Sequence, residues 1–368
     1  MRVLYWIEIF WPHVGGVQTA SLQLIPALQK RGHEFIVVTS HSGLDLPDKV
    51  EHDGIPIYRF PFQEALANRD LQALKTITER VAALKQTFKP DLIHLNSSDP
   101  GVFFHQLTRS ASLAPLLVTI HGLIAGDLEV NTLLGRMLLS SQWITTCSKA
   151  VLLDVRRRLP EVTPKSSVVY YGLELPHLQP TSLSFDEPLL LCLGRVVASK
   201  GFDLALDAFA KIIDHFPGTR LVIAGDGPAR PGLEKQAANL GLAEAVEFTG
   251  RVAPENVPAL INTSTIVIMP SRQREAFGLV ALQTAQMARP FIATQVGGIP
   301  EIVVHGETGL LVAEEDSMAL ANGIAALLEH PEMTIRLGQA AQKRAQEMFG
   351  LERFADEYDT LYRELVRA

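Results

Sequence analysis

Short β-rich apolar runs alternate with longer stretches of helical periodicity from one end of this chain to the other, and few architectures accept that pattern. Val3–Ile9 is followed by a loop holding Gly15 and Gly16, then by a helical stretch to about Lys30 with apolar Leu22, Leu24, Ile25 and Leu28. Arg31-Gly32 closes it as glycine closes many helices. Phe35–Thr39, Ile55–Arg59, Leu92–Leu95, Leu116–Ile120, Trp143–Thr146 and Ser167–Tyr170 continue the β-rich series, with helical patterns between them, most clearly over Leu66–Phe88. Strands separated by helices read as βαβ units, hence an α/β fold with a parallel sheet covered on both faces.

The pattern pauses at Leu175–Pro188, where Pro176, Pro180 and Pro188 stand among polar residues, and then restarts. Leu189–Leu193, Arg220–Ala224, Val246–Phe248, Ile266–Met269 and Phe291–Thr294 read as strands. Phe202–His215, Ser317–Glu329, Thr334–Phe349 and the amphipathic Glu352–Val366 read as helices. With 368 residues the chain exceeds one ordinary core. We therefore expect two Rossmann-like doubly wound domains facing across a cleft: 1–178, with 352–368 packing back on it, and 179–351. Ligands of such sheets sit at the carboxyl ends of strands.

Five strand ends in the second half carry glycine with charged or polar residues. Gly194-Arg195 closes one strand and Lys200-Gly201 opens the next helix. Two cations beside helix amides favour an anion. Gly225-Asp226-Gly227-Pro228 follows another strand, but a dinucleotide fingerprint needs a third glycine where Arg230 stands, which weakens an oxidoreductase reading. Gly250-Arg251-Val252 ends the third. The fourth runs through Pro270-Ser271 and Arg272–Arg274 into Glu275-Ala276-Phe277-Gly278-Leu279-Val280, where a helix begins. The first amides of that helix have no partner within it. Gln283 lies one turn on, on the face of Leu279. Gly297-Gly298-Ile299-Pro300-Glu301 follows the next strand. Together these features point to a nucleotide or phosphate site.

These motifs, with Gly15-Gly16 before a helix and Thr119-Ile120-His121-Gly122 at a strand end, resemble those of the retaining GT-B glycosyltransferases of family 4 over essentially the whole chain. The resemblance implies a glycosyltransferase of the hexosyl type that takes a nucleotide-sugar. A UDP-sugar is favoured and GDP-mannose second, with a carbohydrate, lipid-linked or small-molecule acceptor on the N-terminal domain. It implies that Arg195 and Lys200 bind the donor diphosphate, with Gly16 approaching it, and that Glu275 and the amides of Phe277 and Gly278 hold the sugar. The Leu279 and Val280 amides would face phosphate, His121 would lie near the reaction centre, and Arg251-Val252 would lie beside the base. Gly194, Gly225, Asp226 and Gly227 complete the donor loops. One departure stands out: where the family carries a second Glu, eight residues after the first, this chain has Gln283. A glutamine still donates and accepts but loses charge assistance.

No Asp-x-Asp occurs in the chain, so we expect no metal and no cofactor, with cations and helix amides in the metal's place. A sugar phosphorylase of the same fold and a nucleotide-sugar binding protein without turnover remain the alternatives. The net charge of −7 excludes the basic footprint of a nucleic-acid binder. Arg156–Arg158 is a local basic cluster that reads as a solvated helix end or as a contact to anionic lipid. Cys147 and Cys192 offer no disulfide framework and suit a reducing compartment. The N-terminus lacks signal-peptide features and reads as a buried strand. The expectation is a cytoplasmic protein, with peripheral attachment at the inner membrane face as the variant the basic cluster leaves open.

Overall fold

The computed structural model describes residues 1–96, 101–124, 126–272 and 275–367. Two compact units divide the chain: unit 1 is Met1–Gly172 with Leu351–Ala368, and unit 2 is Leu173–Gly350. The division falls ahead of the proline-rich stretch for a physical reason. Leu173 already belongs to unit 2: its N–H donates to Phe349 O at 3.1 Å, and Gln286 Nε2 donates to its carbonyl at 3.3 Å. Farther along, the buried Arg289 donates to Thr181 O at 2.8 Å and to Thr181 Oγ1 at 2.7 Å. The segment read as a linker is thus fastened along unit 2.

Unit 1 contains β1 (Arg2–Trp6), β2 (Glu34–Ser40), β3 (Lys49–His52), β4 (Ile55–Phe60), β5 (Leu92–Leu95), β6 (Leu116–Ile120), β7 (Trp143–Thr146) and β8 (Ser166–Val168). Among the described residues they form one sheet in the order β3-β4-β2-β1-β5-β6-β7-β8, parallel except for the β3–β4 pair. The central strands are buried along nearly their whole length, so they read as near-continuous apolar runs. β3 was not expected from sequence: its KVEH alternates exposed and half-buried residues on a sheet edge. The helix read over Leu66–Phe88 is two helices, Phe62–Ala67 and Leu71–Phe88. Arg69 takes a positive φ between them, and the Asp70 side chain caps the second by accepting from the Gln72 and Ala73 amides.

The C-terminal helix, Leu351–Arg367, closes unit 1. Phe354, Tyr358 and Tyr362 recur every fourth residue and are each at most 2% exposed, so one face is apolar and buried. Its polar side is tied down as well: Arg31 pairs with Glu352 at 2.6 Å and with Asp356 at 2.7 Å, and His33 pairs with Asp359 at 2.5 Å.

Unit 2 contains β9 (Leu189–Leu193), β10 (Arg220–Ala224), β11 (Val246–Gly250), β12 (Ile266–Met269), β13 (Phe291–Thr294) and β14 (Leu310–Val312). Its sheet runs β11-β10-β9-β12-β13-β14, all parallel. That is the doubly wound Rossmann order, reversing between β9 and β12. The core packs Leu190, Cys192, Phe202, Leu206, Phe209 and Ile223 with Ile324 and Leu327 of the helix Ser317–Glu329. β14 has only three half-buried residues at an edge, and it too escaped the sequence reading. Among the described residues no helix is long and apolar enough to cross a membrane.

Candidate functional site

The reversal of strand order in unit 2 leaves the loops after β9 and β12 side by side, and the charged residues of both loops meet there. After β9 the chain passes Gly194 and the exposed Arg195, makes the short 3-10 turn Ala198–Lys200, and enters the helix Phe202–Ile212. After β12 it passes Ser271 and Arg272 and reaches Glu275; Gln273 and Arg274 lie outside the described residues. Lys200 Nζ donates to Glu275 Oε2 at 2.5 Å, and Ser271 Oγ reaches the same oxygen at 3.4 Å. Both charged side chains are largely covered, at 20% and 16% exposure. The Arg195 guanidinium has no hydrogen-bonded or ion-pair partner among the described residues. Lys200 and Glu275, expected to serve one ligand, thus stand in contact at the switch point.

The glycines around them carry close contacts between neighbouring loops. A Cβ on Gly225 would lie 1.8 Å from Gly194 O, and one on Gly227 would lie 2.4 Å from Val196 O. These glycines let the β10 loop lie against the β9 loop. Asp226 O accepts from the Val196 amide at 2.9 Å, and Asp226 Oδ1 accepts from the Gly227 amide at 2.9 Å. Gly297 plays the same part toward Glu275: its Cβ would lie 1.8 Å from Glu275 O, and the Gly298 amide donates to that carbonyl at 2.9 Å. Glu275 is therefore held by its backbone from the β13 loop. Gly250 ends β11, with Arg251 exposed and Val252 half-buried behind it.

The helix past Glu275 runs Leu279–Gln286, with Gly278 in the left-handed region at its start. Among the described residues the N–H groups of Gly278, Leu279 and Val280 meet no acceptor, which leaves a short row of donors at the positive end of a helix. Phe277 is 2% exposed and packs edge-on against Phe349 at 5.8 Å, anchoring that row to the core. Gln283 is half-buried on this helix, and its side chain makes no hydrogen bond among the described residues.

Unit 1 places Gly15 as the cap of the helix Gly16–Gln29, after a loop braced from beneath by Arg59, whose Nη2 donates to Trp11 O at 2.6 Å. His121 follows β6. Its Nε2–H donates to Asn96 Oδ1 at 2.8 Å, and its Nδ1 accepts from the Tyr171 hydroxyl, whose ring stacks on the imidazole at 5.7 Å. Burial pushes the His121 pKa down to about 3. The ring is neutral, with both nitrogens occupied by protein groups, so it works as a fixed dipole and not as a proton carrier near pH 7. Sequence reasoning missed Asn96 and Tyr171, since neither sits in a motif and only the sheet brings them to His121.

The basic cluster is engaged internally. Arg156 donates to Ser166 O at 2.5 Å, and Arg157 and Arg158 share the nearly buried Asp154 at 2.8 Å and 3.1 Å. Among the described residues no three His, Cys, Asp or Glu side chains gather into a metal-holding group.

Comparison with known proteins places the chain in a family. The family described as "Glycosyl transferases group 1" matches residues 178–344, and "Glycosyltransferase Family 4" matches residues 14–175. The two matches leave out only two residues between 14 and 344, and the chain belongs to the family-4, group 1 glycosyltransferases. It is similar to N-acetyl-alpha-D-glucosaminyl L-malate synthase of Bacillus anthracis, with 26% identity over 97% of this chain and 96% of that one. Among solved structures it resembles sucrose-phosphate synthase from Thermosynechococcus elongatus (TM-score 0.86, 24% identity, 99% and 98% of the two chains covered). It also resembles Anabaena HepE in complex with UDP (TM-score 0.78, 20% identity, 99% and 100% covered). The fold is GT-B, and the protein is a glycosyltransferase by family.

Proposed function

We propose that this protein is a retaining, metal-independent hexosyltransferase that binds its nucleotide-sugar at the β9/β12 switch point of unit 2 and takes its acceptor on unit 1. The observation that carries the reading is the meeting of Lys200 with Glu275 at 2.5 Å, beside Arg195 and the Gly278–Val280 amides, which have no partner among the described residues. A diphosphate needs two cations and several N–H donors, and a sugar needs a carboxylate that accepts from hydroxyls. The four components lie together on adjacent loops.

In this mechanism Lys200 and Arg195 offset the charge that grows on the diphosphate as it leaves the anomeric carbon, a role that falls to a metal ion elsewhere. Glu275 orients the sugar through its hydroxyls. His121, held neutral, contributes a polar group and moves no proton. A UDP-sugar is the first candidate donor, supported by the UDP held by the similar HepE structure, and GDP-mannose is the second. The acceptor is a carbohydrate, a lipid-linked sugar or a small molecule. We place the activity in the cytoplasm.

The test is a screen of UDP-sugars and GDP-mannose for hydrolysis and transfer, run on the wild type and on Lys200→Ala. One lost charge-assisted bond is worth about 1.5–3 kcal/mol, so transfer falls at least roughly tenfold while circular dichroism stays native. Wild-type turnover in a folded Lys200→Ala protein removes the proposed site. The same assays with EDTA retain activity; full loss restored by magnesium or manganese shows that a metal carries the diphosphate instead.

A further inference from the structure

Arg272 has no part in the roles assigned above, yet it makes the densest set of polar contacts at the switch point. Its backbone N–H donates to Ser199 O at 2.9 Å, and Nη1 donates to Ala198 O at 2.9 Å. Its guanidinium forks onto Asp203, Nη1 to Oδ1 at 2.7 Å and Nη2 to Oδ2 at 2.6 Å. Nε donates to Glu315 Oε1 at 2.6 Å, from the segment after β14. The acceptors at 198, 199 and 203 bracket Lys200, which sits at the end of the gripped turn. Arg272 itself lies three residues before Glu275 on the facing loop. One side chain therefore fastens the turn that carries Lys200 to the strand end that carries Glu275.

Arg272 is not placed to bind the ligand directly. Four of its five N–H donors are already spent, and its charge faces two carboxylates. The hydrogen bonds it donates to Asp203 and Glu315 hold its pKa above the ordinary arginine value, and Asp203 is correspondingly held below the usual carboxylate range by Arg272. A fork of this geometry is available to arginine and not to lysine.

We infer that Arg272 is a positioning residue for donor binding: by gripping Ala198, Ser199 and Asp203 it fixes Lys200 at its distance from Glu275. Cation and carboxylate are then preorganised for diphosphate and sugar before the ligand arrives. The inference rests on the donor site proposed above.

A double-mutant cycle separates positioning from simple reinforcement of the fold. Arg272→Ala and the milder, nearly isosteric Asp203→Asn are each made alone and in a Lys200→Ala background. For each protein, kcat and KM for the donor and the UDP dissociation constant are measured, with circular dichroism as the folding check. In the wild-type background Arg272→Ala is expected to lower kcat/KM and weaken UDP binding roughly tenfold, and Asp203→Asn about threefold. In the Lys200→Ala background each adds less than about twofold, because the group they position is gone. Arg272→Lys, which keeps the charge but not the fork, fails to restore the wild-type values. Equal losses in both backgrounds, or a folded variant with wild-type constants, overturn the inference. Should Arg272→Ala not fold, the Asp203→Asn cycle decides on the same criterion. A wild type that binds neither UDP nor GDP removes the donor site and the inference with it; a wild type that binds and transfers, with additive losses, removes the role of Arg272 alone.

Discussion

Lys200 and Glu275 neutralise each other where neither could be predicted to touch, seventy-five positions apart in sequence. Gln283 stands in contrast, half-buried on the next helix with an amide that makes no bond among the described residues. The family resemblance implies a glutamate at this place, so Gln283→Glu moves the chain toward that pattern. In the proposed donor site the nucleotide ribose lies beside this position, where a carboxylate would accept two of its hydroxyls with charge assistance. Nucleotide binding is expected to tighten a few-fold, about 0.5–1 kcal/mol. Calorimetric titration of UDP and GDP into both proteins reads this directly. Unchanged dissociation constants would detach Gln283 from the ribose and put the nucleotide elsewhere along the helix. At this scale the sequence was informative about residues inside glycine-marked loops, because a glycine forced by close backbone approach leaves a local trace. It was silent on Asn96, Tyr171 and Arg272. Their partners, His121 and Asp203, are brought to them by sheet order and helix packing, which no local spacing encodes.

The elements were legible where burial is uniform. Leu92–Leu95, Leu116–Ile120, Leu189–Leu193 and Phe291–Thr294 have the ends expected, because strands covered on both faces read as plain apolar runs. Two edge strands were illegible: β3 and β14 are short with no fully buried residue, and their composition is that of loops. The split at Arg69-Asp70 was missed because helical periodicity continues across it, and only the cap reveals the break. The C-terminal helix was seen as amphipathic, and the structure shows what its apolar face buries. Phe354→Ala leaves a cavity under Tyr171 and Tyr358, whose rings lie 6.0 Å and 5.4 Å away. The expected loss of stability is about 3–5 kcal/mol by denaturant unfolding. A loss under about 1 kcal/mol would show that the helix does not hold unit 1 together.

On the scale of the whole molecule, the same doubly wound plan is used twice, but the ionisable groups buried within the two units differ. Unit 1 buries His94 and His105 and half-buries His121, all with pKa values pushed down by desolvation, His121 to about 3. It also buries Lys85, whose ammonium is lowered to about 7 by burial among His105 and Thr108 acceptors. In the unfolded chain these histidines take up protons near pH 6.5. The folded chain does not, so between that value and their depressed folded values the unfolded state binds more protons. The stability they contribute is complete above about pH 6.5 and is lost progressively as the pH falls toward 3. Lys85 acts in the same direction higher up: its unfolded pKa of 10.5 exceeds the folded one, so stability declines as the pH drops from 10.5 toward 7. In unit 2 the depressed Asp203 is held by Arg272, and that contribution is lost as the pH falls through the ordinary carboxylate pKa toward the lowered one, well below the histidine range. Unit 1 is therefore expected to weaken first on mild acidification. Scanning calorimetry from pH 8 to pH 5 should show the unfolding midpoint falling, with a lower-melting transition separating from the rest. Limited proteolysis at pH 5 should cut within 1–172 before it cuts within 173–350. A midpoint that stays level from pH 8 to pH 5, or first cleavage in unit 2, would mean that the buried histidines and Lys85 do not set the acid sensitivity of this chain.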